Sequence, residues 1–231
     1  MSPREAELAE RLAAVRARME DARVAAGRDD TPTLVVVTKF FPGSDVELLT
    51  GLGVTDIGES RDQEAAEKVA ALARREALTV HFVGQVQSKK AGSVARYADV
   101  VHSVDRAKLA QALDRGAERA GRVLDVLVQV GLDTAGERGG VAPADLPGLA
   151  ATVAGLEHLR LRGVMAVAPR EGPPRPAFAR LRELAEALRV EHPGATWMSA
   201  GMSADLEDAV AEGATHLRVG TAILGTRQSH G

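Results

Sequence analysis

Short apolar runs, rich in β-branched residues, recur at 34–39, 55–58, 79–83, 100–103, 123–130, 159–167, 196–198 and 216–219. Helix-forming stretches lie between them, at 61–74, 106–119, 142–154, 176–190 and 204–212, many beginning near Ser, Asp or Pro as helix starts do. This alternation limits the fold more than any other property of the chain. Strands joined through helices run parallel, and each crossover is right-handed. Eight such units in roughly 200 residues fit a closed (β/α)8 TIM barrel, an α/β fold, better than an open doubly wound sheet. An amphipathic segment at about 4–26 precedes the first strand. The expectation is a single domain over 1–231, with an extra N-terminal helix within 1–30 packed on the barrel. Only 168–176, with four prolines, interrupts the rhythm, and it reads as a stiff loop.

Composition removes several function classes. A net charge of −3 and 3% aromatic residues offer neither a basic field nor stacking platforms for nucleic acid. The absence of cysteine excludes disulfides and thiolate metal sites. No apolar stretch approaches the roughly 20 residues that span a bilayer, and the N-terminus is charged. A cytoplasmic protein without membrane association is expected.

In a barrel of this kind the C-terminal ends of the strands surround the functional mouth. Lys39, Glu59, Ser60, Gly84, Met165, Ser199 and Gly220 fall on that side, whereas Tyr97, just ahead of the fourth strand, should lie at the bottom as a packing residue. Lys39 closes the run Leu34-Val35-Val36-Val37-Thr38-Lys39. An amine at the tip of a buried strand is partly desolvated, which disfavours the ammonium and suits it to form a Schiff base; otherwise it is a strand-end lysine that snorkels into water. After the seventh strand comes Ser199-Ala200-Gly201-Met202-Ser203, and after the eighth Arg218-Val219-Gly220-Thr221. Small residues and hydroxyls there suit a phosphate, since barrels often bind phosphate with these two loops, although each alone reads equally as a helix cap. Strands seven and eight close beside strand one, so a phosphate ester carrying an aldehyde could reach Lys39. Arg218 would face the ligand or form a salt bridge within the barrel. His81 would supply a second acid or a structural hydrogen bond.

Val36-Val37-Thr38-Lys39, Gly58-Glu59-Ser60, His81-Phe82-Val83-Gly84 with Gln87-Ser88-Lys89-Lys90, Arg162-Gly163-Val164-Met165-Ala166, Gly201-Met202-Ser203 and Arg218-Val219-Gly220-Thr221-Ala222-Ile223 occur in one order. Together they resemble the YggS/PROSC family of pyridoxal phosphate homeostasis proteins. The resemblance implies a monomeric barrel similar to the N-terminal domain of alanine racemase, with pyridoxal 5′-phosphate (PLP) held as a Schiff base on Lys39. It places phosphate contacts at Ser203, Gly220 and Thr221, turn-shaping residues at Gly201 and Met202, and a pyridine-nitrogen partner at Arg218. Met165, Ser199 and His81 complete the candidate cofactor-binding set.

Where the family usually has Gly-Glu-Asn-Tyr and Gln-Ser-Asn-Lys, this chain has Gly58-Glu59-Ser60-Arg61 and Gln87-Ser88-Lys89-Lys90, so the asparagine contacts do not carry over. Arg138-Gly139-Gly140 stands where Lys-Ser-Gly is expected, so a secondary lysine does not carry over either. A racemase needs an acid or base on each face of the substrate Cα, and no tyrosine follows strand eight. The resulting expectation is a protein that buffers and delivers PLP, with PLP-dependent apoenzymes as recipients and no catalytic residue. The alternatives are a weak amino-acid racemase and a Schiff-base aldolase of sugar phosphates.

Overall fold

Eight parallel strands close into one barrel in sequential order, β1 (Thr33–Val37), β2 (Asp56–Glu59), β3 (Thr79–Phe82), β4 (Val100–Val104), β5 (Leu124–Gln129), β6 (Leu159–Met165), β7 (Trp197–Ser199) and β8 (His216–Val219). The structure is a computed structural model and describes residues 1–132 and 139–226. Closure is made by β1 against β8, with Thr33 opposite His216 and Val36 opposite Val219. The expected TIM barrel and the expected neighbours of the first strand are therefore found.

Around the barrel lie α2 (Gly43–Gly51), α3 (Asp62–Ala71), α4 (Ala91–Tyr97), α5 (Ala107–Ala120), α6 (Leu146–Ala154), α7 (Arg175–Glu191), α8 (Leu206–Ala211) and α9 (Thr221–Leu224). Outward-facing residues such as Val36, Ile57, Val80, Val101, Val126 and Val164 join the helices in one continuous apolar cluster. A separate small cluster, Val100, Leu127 and Met165 with Trp197 against it, fills part of the lumen.

The opening segment forms α1 (Pro3–Ala25), started by a capping box in which the Ser2 hydroxyl accepts from Glu5 N–H and Glu5 accepts from Ser2 N–H. Its buried stripe, Leu8, Leu12, Val15, Met19 and Ala22, has helical spacing and seals against the barrel's outer layer. Three arginines anchor it further. Arg4 reaches Asp45 of α2 (2.6 Å) and the carbonyl of Leu224 in α9 (3.2 Å). Arg18 reaches Glu207 of α8 (2.7 Å) and the Ser203 carbonyl (3.1 Å). Arg28 donates to the carbonyls of Val210 and Ala214.

Several boundaries differ from expectation. β1 stops at Val37, not Lys39, because the chain turns at once, with Phe41 N–H on Thr38 O and Phe40 at φ 69°. β6 stops at Met165, where the proline-rich loop begins. α2 and α4 did not stand out in the sequence: α2 starts at a glycine, and α4 is a seven-residue segment with Gly92 and Ser93. α4 is held by packing, since a Cβ on Gly116 of α5 would come within 3.0 Å of Ala95 and Gly92.

Candidate functional site

Lys39 is exposed at the barrel mouth, just beyond β1. The partial desolvation expected from a strand end is thus not found, because the turn carries the side chain out of the strand. Among the described residues its Nζ has no hydrogen-bond acceptor, and it lies 6.0 Å from the centre of the Phe40 ring. The turn itself is fixed from outside the barrel. Thr38 donates its hydroxyl to Glu59 Oε1 (2.6 Å), Phe40 N–H donates to Glu64 (2.5 Å), and Lys68 Nζ donates to Thr38 O, Glu59 Oε1 and Glu64 Oε1 at 2.9, 2.8 and 3.1 Å. Burial raises the Glu59 carboxyl above its ordinary range, against the opposing pull of Lys68 and Thr38.

Across the β1–β8 seam the two small-residue loops converge. Thr221 Oγ1 donates to Ser203 Oγ at 3.2 Å, and the Ala222 N–H approaches the same oxygen at 3.4 Å. A Cβ on Gly220 would meet Val37 O at 3.1 Å, so a bare backbone is what lets β8 end against β1. Gly201 has φ 87°, and a Cβ there would strike Ala209 at 2.6 Å; only glycine makes that turn unstrained. Beside it, Met202 N–H donates to Asp205 Oδ1 at 2.6 Å. Two hydroxyls and one backbone N–H thus gather at one point beside Gly220, a set of groups that can serve an anion.

Arg218 points into the lumen and is sealed there. Its Nη1 donates to Ser199 Oγ (2.6 Å) and its Nη2 to Ala166 O (2.9 Å). Burial pulls the guanidinium down to about 10, with Asp205 resisting. Met165 pairs in register with Ser199 and contributes an apolar wall. The salt bridge offered as one fate of Arg218 does not form among the described residues.

His81 makes the structural hydrogen bonds offered as one of its two readings, and it does so away from the mouth; Glu59, expected on the mouth side, is likewise fully buried. His81 belongs to the lower half of the lumen, where it lines a cavity of about 400 Å³ at the barrel bottom together with Asp56, Trp197 and His216. Its Nε2 lies 2.9 Å from Asp56 Oδ1 and its Nδ1 2.8 Å from His102 Nε2. The reason is local: in β3 the alternating positions Thr79 and His81 face inward, but His81 stands only two residues above the strand's start. Tyr97 is buried in the outer layer beside Phe82, and its hydroxyl reaches Asp62 at 3.4 Å. It packs between helices and barrel, as its place before the fourth strand suggests. Arg138 lies outside the described residues.

Sequence reading passed over Lys68, His102, Asp205 and Arg18. For His102 a signal exists, since a histidine within the apolar run Val100-Val101-His102 must either face the lumen or be paired. For Lys68 and Arg18, on amphipathic helices full of charge, there is none. A groove of about 1410 Å³ lies beside the mouth and not in it, along α1, α2, α3 and residues 224–226.

The family profile described as the alanine racemase N-terminal domain matches residues 11–228. The pyridoxal phosphate homeostasis protein of Mycobacterium tuberculosis is 44% identical, over 97% of this chain and 95% of the relative. PipY of Synechococcus elongatus, solved with PLP bound, superposes with a TM-score of 0.83 at 35% identity, over 94% of this chain and all (100%) of that one. Alanine racemase of Streptomyces coelicolor shares the fold, with a TM-score of 0.76 at 17% identity, and this chain covers 58% of it.

Proposed function

This chain belongs to the alanine racemase N-terminal domain family and, within it, to the pyridoxal phosphate homeostasis proteins, and from that membership we propose that it binds pyridoxal 5′-phosphate through Lys39 and buffers and delivers it in the cytoplasm as a monomer. The observation that supports the reading is the convergence of Ser203, Gly220 and Thr221 beside the end of β1, which gathers two hydroxyls across the seam from the strand that leads to a primary amine. Ser203 and Thr221 would hold the phosphate by their hydroxyls, with Gly220 letting the backbone approach it. Arg218, charged and fixed by two acceptors, would serve the pyridine nitrogen and keep it unprotonated. Met165 and Ser199 would complete the site on the ring's side. Bound there, PLP supplies an aldehyde that condenses with amines and a ring that can draw electrons from them.

Lys39 would hold the aldehyde through its amine. Its exposure supports a carrier, because an amine that water and other amines can approach is one from which the cofactor can be transferred to an apoenzyme. Absence of catalysis is supported by the places of the two groups considered as a second acid. Tyr97 is sealed in the outer layer, and His81 lies at the barrel bottom. Neither stands where a second acid for racemisation is required.

Purified protein incubated with PLP should be yellow, and borohydride should add the cofactor's mass to the peptide carrying Lys39. A colourless protein that borohydride leaves unlabelled refutes the reading. Exchange of amino-acid α-hydrogens for deuterium at about 1 s⁻¹ or faster would make it an enzyme instead of a carrier.

A further inference from the structure

The lumen of a TIM barrel is ordinarily packed with branched apolar side chains. Here a line of polar groups crosses it from bottom to mouth, through five strands: Asp56 on β2, His81 on β3, His102 on β4, Ser199 on β7 and Arg218 on β8. Every link is 2.6–2.9 Å long. His102 and Ser199 are completely buried, and Arg218 is 5% exposed.

The two termini determine the direction of the whole line. A guanidinium only donates, so Ser199 Oγ accepts from Arg218 Nη1. The serine hydroxyl then has its own proton to give, and His102 Nδ1 lies 2.9 Å away as the acceptor. Neutral His102 therefore carries its proton on Nε2 and donates it to His81 Nδ1 at 2.8 Å. His81 in turn carries its proton on Nε2 and donates it to Asp56 Oδ1 at 2.9 Å. An ionised carboxylate only accepts, which ends the line without a conflict. Burial, with the charges of His81, Arg218 and His216, holds His102 well below the ordinary imidazole value and so in a neutral form with one ring proton. Burial opposes the charge on Asp56, but the hydrogen bonds from His81 and Thr55 outweigh it and keep the carboxyl below its usual range.

We propose that Asp56, His81 and His102 are positioning residues, a one-way hydrogen-bond chain that presets the Ser199 hydroxyl and through it the orientation of Arg218, so that the solvent-facing bottom of the barrel governs the guanidinium at its mouth. Asp56, 18% exposed at the side chain, is the only member open to water. A second proton on His81 turns its Nδ1 into a donor. His102 must then accept at Nε2 and move its own proton to Nδ1, and Ser199 receives two donors where it had received one. The groups facing His81 are Asp56 from β2, His102 from β4 and His216 from β8. Arg218 lies beyond His102, Arg162 lies against Trp197 beside His216, and Asp99, Asp125 and Arg160 line the same cavity. The effect on bound cofactor rests on the function proposed above; the direction of the chain does not.

Nitrogen-15 spectra of histidine-labelled protein without cofactor test the direction. At neutral pH His81 and His102 should each show a protonated Nε2 and an unprotonated Nδ1; a protonated Nδ1 on either ring overturns the chain. Asp56→Asn replaces an acceptor-only terminus with an amide that both donates and accepts, so both rings should show mixed tautomers. Unchanged single tautomers would mean that the carboxylate does not set the direction. Should that variant fail to fold, the wild-type spectra still decide the direction. With PLP added, the pH midpoint of the visible band should shift in Asp56→Asn. An unmoved midpoint beside mixed tautomers overturns the coupling to the mouth while leaving the PLP reading intact; no visible band in either protein counts against that reading alone.

Discussion

Lys39 and Lys68 meet at the same peptide and have opposite circumstances. Lys68 Nζ is tied to the carbonyl of Thr38, the residue before Lys39, and to two carboxylates, with its side chain 5% exposed. Lys39 stands in water, with no acceptor at its Nζ among the described residues. One ammonium is consumed by structure, and it holds the turn from which the other is presented. The difference teaches that an amine is made available for chemistry by leaving it without acceptors, and that a neighbouring amine can supply the rigidity. The same division runs around the mouth: Ser203 and Thr221 are accessible, whereas Ser199, Arg218 and His102 are sealed.

The largest expected effect separates the two lysines directly. Lys39→Ala should abolish the visible band and borohydride labelling completely, yet change unfolding free energy by less than about 0.5 kcal/mol, as for other exposed positions. A large loss of stability in denaturant titration would place Lys39 inside the structure. Lys68→Met should do the reverse. It leaves the carboxylate of Glu59 buried without its cation, which costs about 3–5 kcal/mol in the same titration. Labelling of Lys39 should persist wherever the variant remains folded.

The sealed histidines give a pH test. His216 is held neutral by burial, its value lowered to about 4, and His102 is lowered in the same direction. The unfolded chain takes up protons on these rings from about pH 6.5 downward while the folded one does not. Stability from this source is fully present above about pH 6.5 and falls as pH drops toward 4, by up to about 3 kcal/mol for His216. His216→Gln should flatten that slope in thermal melts; a slope unaltered by the replacement would mean that the ring is already wet. The smallest effect is expected from Arg18→Ala. Its ion pair with Glu207 is largely exposed and contributes about 0.2–1 kcal/mol. Because Arg18 also holds the Ser203 carbonyl, the variant should release PLP faster in stopped-flow measurements while melting almost normally.

The barrel was legible because each strand is an apolar run bounded by polar residues, a signal carried by neighbours in sequence. The end of β1 was misread since β-branched character continues through Thr38, and nothing local announces that Phe40 adopts a left-handed backbone. In the candidate site, the meeting of Ser203, Gly220 and Thr221 was legible because each loop carries its own small-residue signature and the strand order brings the loops together. For His81 the structural hydrogen bond was legible but its depth was not: two residues up a four-residue strand is still the barrel bottom. Its partner His102 stands 21 positions away, and that ring's other partner, Ser199, stands 97 positions away. Such a line is created by closure of the sheet and has no local pattern in the chain.

The clasp made by α1 bears on how the molecule is assembled. Arg4 must find the carbonyl of Leu224, which lies 220 positions further along, and Arg18 the Ser203 carbonyl 185 positions along. Contacts of such separation close late in folding, since the loop between them must be ordered first. During synthesis α1 is complete long before most of its docking surface exists, and beyond α2 its apolar stripe waits for α8 and α9, which flank β8. The loops that would hold a phosphate are therefore tied down by the last act of folding, and a ribosome-bound fragment lacking β8 should have no grip on the cofactor.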